Sequence, residues 1–127
     1  MNNDNYLNFF LERGLSYIKK KFDANLVTQT NHRDFRSGFG ISPSVCCCVW
    51  TQINEEDSNL LPENLLWALL FLKVYKTETV HASIVETDAK KFREKVFKVI
   101  ELISSLSEDV VSKLSYYYYH YNLVYIF

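Results

Sequence analysis

The sequence has 127 residues, of which 48% are hydrophobic and 16% aromatic, and its 14 basic and 15 acidic residues give a net charge of −1. This length suits a single domain, and the apolar and aromatic content excludes a fully disordered chain. The balanced charge excludes a chain that is basic overall. Any affinity for nucleic acid must therefore come from a local cluster of positive charge.

Apolar spacing in the first third of the chain predicts one helix, a linker and a short helical turn. The first helix covers residues 4–22 and ends on the triplet Lys19, Lys20 and Lys21, which favours the helix dipole or contacts phosphates. Residues 24–31 are polar and indicate a linker, and a short turn of helix follows at residues 33–37. We therefore divide the chain into an N-terminal helix and linker (1–30), a helix-turn-helix-like helical domain (31–114) and an aromatic tail (115–127).

The middle of the chain predicts two helices that each begin with a proline. Ser42-Pro43 is a strong start signal, because Ser caps a helix and Pro suits its first position. That helix runs to about residue 53. Pro62 begins the next one, which is apolar on every side over residues 65–72 and should be the buried central helix. The fold class expected is all-α, with five to six helices around this segment.

Two further helices complete the prediction. Thr77 caps a short helix over residues 78–85, and Glu86-Thr87 makes a tight break. Thr87 or Asp88 then caps a helix that reaches about residue 106. Its apolar residues recur at spacings of four and three and predict one buried stripe: Phe92, Val96, Val99, Ile103 and Leu106.

The last two helices are joined by a short turn, as in a helix-turn-helix, in which the second helix contacts DNA. The second helix carries five basic residues, which are the candidate DNA-binding residues: Lys90, Lys91, Arg93, Lys95 and Lys98. At 100° per residue, Lys91, Lys95 and Lys98 share one flank beside the apolar stripe, whereas Lys90, Glu94 and Glu101 lie on the far side. This flank suits phosphate contacts. An ordinary amphipathic helix with solvated lysines gives the same pattern.

The sequence offers no candidate for catalysis or metal binding, so we expect neither an enzyme nor a cofactor nor a small-molecule substrate. Ser42 lacks nucleophile-elbow glycines, and no glycine-rich phosphate loop is present. The adjacent cysteines at 46–48 point in different directions on a helix, so they cannot bind one metal ion together. We expect them to be small apolar residues on a partly buried helix. His81 is expected to be packed or on the surface. His32 and His120 lack a partner at zinc spacing.

The same features predict an intracellular protein, nuclear if the host is eukaryotic, without a membrane partner. The longest apolar run has eight residues (65–72), whereas a membrane-spanning helix needs roughly 20. Residues 1–5 are polar and do not begin a secretory signal. Free thiols without a disulfide framework fit a reducing compartment.

Three stretches resemble the segment before the catalytic domain of Harbinger-type DDE transposases and their domesticated relatives. They are FGISPSVCCCVW (39–50), LLPENLLWALLFLKVYKTETVHASI (60–84) and TDAKKFREKV (87–96). The most specific part is a run of apolar residues, with the pair Phe92-Arg93 on the following helix. The run reads Pro62, Leu65, Leu66, Trp67, Leu69, Phe71, Leu72, Lys73 and Tyr75. The resemblance covers residues 33–113.

The resemblance implies a helical module that helps to hold transposon DNA as a helix-turn-helix. In the family a ribonuclease-H-like domain with three metal-binding carboxylates follows, and none of those carboxylates can be carried over to this chain. After Lys113 the sequence departs from the family and reads SYYYYHYNLVYIF (115–127). That tail has high β propensity and no charge, which is typical of aggregation-prone segments. A degenerate copy or a genuine terminal strand or helix that covers the core would explain it.

Three classes of function remain open at this point. The first is sequence-tolerant binding of double-stranded DNA through the last helix. The second is association with an intact transposase or with a second copy of the chain, through the aromatic tail or the apolar helix faces. The third is a transposon remnant with no selected function.

Overall fold

A computed structural model of the chain describes residues 3–19, 21–22, 24–57, 59–74 and 76–106. These residues form six helices and no strand, which confirms the all-α prediction. The helices are α1 (Asn3–Ile18), α2 (Gln29–Phe39), α3 (Pro43–Glu56), α4 (Pro62–Lys73), α5 (Glu78–Ile84) and α6 (Ala89–Ser104). The predicted tail (115–127), His120 and Lys20 lie outside the described residues.

Side-chain caps start three of the helices where the sequence predicts them. Ser42, Thr77 and Asp88 accept hydrogen bonds from the backbone amides three residues ahead, at 3.3, 3.3 and 2.8 Å respectively. Each cap satisfies an amide that has no partner within its helix. Of the two candidates for the start of α6, Asp88 is therefore the cap.

The predicted linker (24–31) is too long and the predicted helical turn (33–37) is too short, because α2 already begins at Gln29 and continues to Phe39. The Thr28 hydroxyl accepts a hydrogen bond from the Asn31 amide at 3.1 Å and caps this helix. The Asn31 side chain is buried and donates to the carbonyls of Asn25 and Leu26 at 3.3 and 3.4 Å. The polar residues that indicated a linker thus fix the start of a helix. At the other boundary, α1 ends at Ile18 and not at residue 22.

Helix α4 lies at the centre of the fold, as predicted, and contacts all five other described helices. Its residues 64–70 are buried. Leu72 is 38% exposed, so the all-round burial expected of residues 65–72 ends two residues early, at Leu70. One continuous apolar cluster includes residues from all six helices, among them Phe10 of α1 and Phe92 of α6. The N-terminal helix therefore packs into the same core as the rest.

A chain of polar contacts joins α1 to α4 at the edge of this core. The indole Nε1 of Trp67 donates to the Tyr17 hydroxyl at 3.2 Å, and that hydroxyl lies 3.4 Å from Glu63 Oε2. Arg13 Nη1 donates to the same carboxylate oxygen at 2.6 Å. Burial raises the pKa of Tyr17, so this phenol stays protonated and can donate to Glu63 while it accepts from Trp67.

Replacing Tyr17 by Phe should lower the free energy of unfolding by about 1–3 kcal/mol, because the buried Trp67 N–H loses its acceptor. Urea unfolding followed by circular dichroism measures the change. Tyr6→Phe is the matched control, since the Tyr6 ring packs on Phe10 and Trp50 and those contacts do not need the hydroxyl. Equal losses from both variants would show that the Trp67–Tyr17 bond does not stabilise the fold.

Candidate nucleic-acid interface

Helices α5 and α6 form the two-helix unit that the sequence predicts, joined by residues 85–88. Glu86 adopts φ of 60°, a left-handed conformation that is common just after the end of a helix. The Thr87 amide donates to the Ala82 carbonyl at 2.9 Å, and the Val85 amide donates to that of His81 at 3.1 Å. These bonds close the end of α5 and fix where α6 begins.

Phe92 holds α6 against the rest of the fold. Its ring stacks on Trp67 of α4 with centroids 5.9 Å apart, and it stacks on His81 of α5 at 5.7 Å. Val96 and Val99 are also buried, which confirms the first part of the predicted stripe. Ile103 in the last turn of α6 and Leu106, two residues beyond its end at Ser104, are only half-buried. Because this stripe faces the core, the lysines beside it lie at the margin of the core, between the buried side and the solvent.

The five candidate residues fall into different environments. Lys90 and Lys91 are exposed, and Lys98 is half-buried. Lys95 is half-buried and its Nζ donates to the Asn59 carbonyl at 3.2 Å. None of these lysines forms an ion pair with any residue that the structure describes.

Arg93 differs from the four lysines because a carboxylate holds it. Its Nε donates to Glu78 Oε2 at 2.6 Å, so the pair neutralises its charge and ties α6 to α5. At 100° per residue it also lies on the opposite side of the apolar stripe from Lys91, Lys95 and Lys98. The structure therefore separates Arg93 from the lysine flank, by which we mean Lys91, Lys95 and Lys98.

The whole α5–α6 unit is neutral, although the lysine flank has a single sign. Residues 77–106 contain five basic residues and five acidic ones: Glu78, Glu86, Asp88, Glu94 and Glu101. Glu94 and Glu101 are both exposed, on the side of α6 that points away from the core. The positive surface is thus a strip along one side of α6 and does not extend over its outermost face.

Phe97 is an exposed aromatic residue that the sequence analysis did not single out. It is 48% exposed, and its ring packs edge-on against Phe71 of α4 at 5.9 Å. The sequence could have indicated this exposure, because Phe97 lies outside the apolar stripe of α6. Val80 of α5 is 43% exposed, so both helices of the unit present some apolar surface to solvent.

His81, His32 and the three cysteines are the other described residues that the sequence raised as candidates for chemistry. His81 is buried, as its predicted packing role requires. His32 Nδ1 lies 3.1 Å from the Thr28 carbonyl. Cys46 and Cys47 are buried and Cys48 is exposed; burial raises the pKa of Cys46 well above its usual range and that of Cys47 to about 11. The two buried thiols are therefore protonated and are poor nucleophiles.

Two further properties of the described residues concern metal binding and membrane crossing. Within that part of the chain, no group of three or more His, Cys, Asp or Glu side chains is placed to hold a metal ion. None of the described helices is both long enough and apolar enough to cross a membrane.

Compared with protein families, with curated proteins and with solved structures, the chain matches none of them. The resemblance to Harbinger-type transposases thus stays a prediction that depends on the residues quoted for it.

Proposed function

We propose that the chain binds double-stranded DNA with little sequence preference, through phosphate contacts from the lysine flank of α6. The observation that supports this is that the three amino groups form no ion pair with the described residues. Lys91, Lys95 and Lys98 share one side of a helix, and none is neutralised by a carboxylate of the described residues. Their charge is therefore available to an external anion.

The spacing of the flank suits successive phosphates. A helix rises 1.5 Å per residue, so Lys91 and Lys95 are about 6 Å apart along α6, and Lys95 and Lys98 about 4.5 Å. Phosphates of one DNA strand are 3.4 Å apart along the duplex axis. The flexible stems of lysine can span this difference, and all three amino groups can reach a single backbone.

Phosphate contact is favoured over base recognition by the acidic residues of α6. Glu94 and Glu101 are exposed on its outermost face, where a recognition helix would meet the bases. Carboxylates there repel the duplex and offer a base edge few useful contacts. Contacts to phosphates position a protein on DNA without carrying sequence information, so we infer sequence-tolerant binding.

The relation to transposases is part of the same proposal. The predicted resemblance implies a module that holds transposon DNA, and the lysine flank would supply the contacts for it. A second candidate is association with a second copy of the chain or with an intact transposase. The exposed Phe97 and Val80 favour that candidate, because exposed apolar surface is typical of protein interfaces.

Replacing Lys91, Lys95 and Lys98 together by Ala should weaken binding to any duplex and reduce its salt dependence. Each phosphate contact contributes about 0.9 to the slope of log affinity against log salt, so three contacts should flatten that slope by about 2.7. Fluorescence anisotropy with two duplexes of unrelated sequence, at several salt concentrations, measures it. Helix content should be retained, because Ala is the best helix former.

The control removes three lysines elsewhere: Lys21, Lys73 and Lys76, which become Ala. This variant changes the net charge by the same amount, and it should leave most of the slope of log affinity against log salt unchanged. Equal losses from both triple variants would indicate diffuse charge attraction and contradict the proposed flank. If the unmutated protein fails to bind DNA at low salt, the DNA proposal is wrong. Self-association in sedimentation experiments would then support the second candidate.

A further inference from the structure

His81 is a buried imidazole that the proposed function does not use. It lies between two aromatic rings, stacked on Phe92 with an interplanar angle of 2° and edge-on to Phe71, both with centroids 5.7 Å away. Its Nε2 is 2.9 Å from the carbonyl oxygen of Val74, just after α4. A carbonyl can only accept, so Nε2 carries the hydrogen of the neutral ring.

The other ring nitrogen, Nδ1, is buried and has no hydrogen-bond partner among the described residues. In the neutral ring this nitrogen is a bare acceptor. A proton there would add a buried N–H with nothing to accept it, together with a positive charge between two phenyl rings. Attraction of that charge to the rings offsets only part of the lost hydration, because an isolated buried charge is very unfavourable.

No nearby carboxylate compensates for that charge. The charged residues on the elements around the imidazole are Glu63 and Lys73 on α4, Lys76 before α5, Glu78 on α5, Glu86 and Asp88 in the turn, and Lys90, Lys91, Arg93, Glu94, Lys95, Lys98 and Glu101 on α6. Glu78 is held by Arg93 at 2.6 Å, and no carboxylate accepts a hydrogen bond from Nδ1. Burial lowers the pKa of His81; the bond to Val74 opposes this, and Lys76 lowers the pKa further.

Helix α5 depends on this side chain for its packing. Its buried residues are His81 and Ala82, whereas Thr79, Val80 and Ser83 are exposed. We propose that His81 is a proton-operated latch that holds α5 on α4 and α6 while the ring is neutral. Protonation releases α5 and leaves the core around α3 and α4 folded. This inference is independent of DNA binding.

The direction of the pH dependence follows from proton linkage. The folded pKa lies below the ordinary value of 6.5, so the released state binds the proton more tightly than the docked state. Docking is fully present above about pH 6.5 and weakens as the pH falls towards the lowered pKa. Within that window the ratio of released to docked α5 should rise about tenfold per pH unit.

Amide hydrogen exchange of the full chain between pH 7.5 and 5 tests the latch, with rates corrected for the intrinsic effect of pH. Protection of the α5 amides should fall below about pH 6.5, by at most about tenfold per pH unit and only down to the lowered pKa of His81, while the α3 amides stay protected. In His81→Gln the α5 protection should not change with pH. The Gln amide can still donate to the Val74 carbonyl, but it does not titrate.

His32→Gln is the matched control and should keep the pH dependence of the unmutated protein. A pH-independent α5 in the unmutated chain would overturn the latch. Joint loss of protection in α3 and α5 would also overturn it, since His81 would then govern global stability. If His81→Gln does not fold, the unmutated profiles of α5 and α3 still decide between these outcomes.

Discussion

Replacing Leu69 by Asp is expected to unfold the whole described domain. Leu69 is 4% exposed and lies on α4, the helix that contacts all five others. A carboxylate there has no partner and costs several kcal/mol, against a total stability of roughly 5–15 kcal/mol. Circular dichroism should show the loss of helical signal and of the cooperative thermal transition.

Leu72→Asp is the matched control on the same helix. Leu72 is 38% exposed, so its carboxylate can remain hydrated and the free energy of unfolding should change by less than about 1 kcal/mol. Comparing the two variants separates the effect of burying a charge on α4 from the effect of adding a charge to the exposed side of the same helix. An unchanged melting temperature for Leu69→Asp would contradict the central position of this helix.

The second large effect is expected at Gly14, where α1 crosses α2. A Cβ atom at this position would overlap Cε2 of Phe35 and would lie 2.9 Å from Cε2 of Phe39. Both rings are completely buried and cannot move aside without disturbing the core. Overpacking of this kind costs about 1–3 kcal/mol or more, and the better helix propensity of Ala returns about 1 kcal/mol. We expect Gly14→Ala to lose about 2 kcal/mol in urea unfolding.

Gly38→Ala provides the comparison on α2. The nearest atom to its added Cβ is Cδ1 of Ile18, at 2.7 Å, which is the far end of a flexible side chain. Ile18 is half-buried and can rotate away, so this variant should stay within about 1 kcal/mol of the unmutated protein. If Gly14→Ala is as stable as Gly38→Ala, then α1 and α2 are not as close at Gly14 as described.

Local signals in the sequence were sufficient for most helix boundaries. The caps at Ser42, Thr77 and Asp88 and the proline at position 62 act within one turn of the chain, so neighbouring residues encode them. The same reasoning misjudged α2, because buried Asn31 resembles a loop residue until its partners, the Asn25 and Leu26 carbonyls, are known. Apolar periodicity predicted the buried side of α6 and, by exclusion, its lysine flank.

The sequence by itself therefore determined five of the six helical segments and part of α2, which side of α6 is buried, and that lysines lie beside that side. Only the tertiary structure decided which polar groups meet. Arg93 is neutralised by Glu78, 15 residues away, and Trp67 donates to Tyr17, 50 residues away. The burial of His81 between Phe71 and Phe92 likewise needs three helices at once. Helix formation depends on residues within one turn, whereas these pairs form only when packing brings distant segments together.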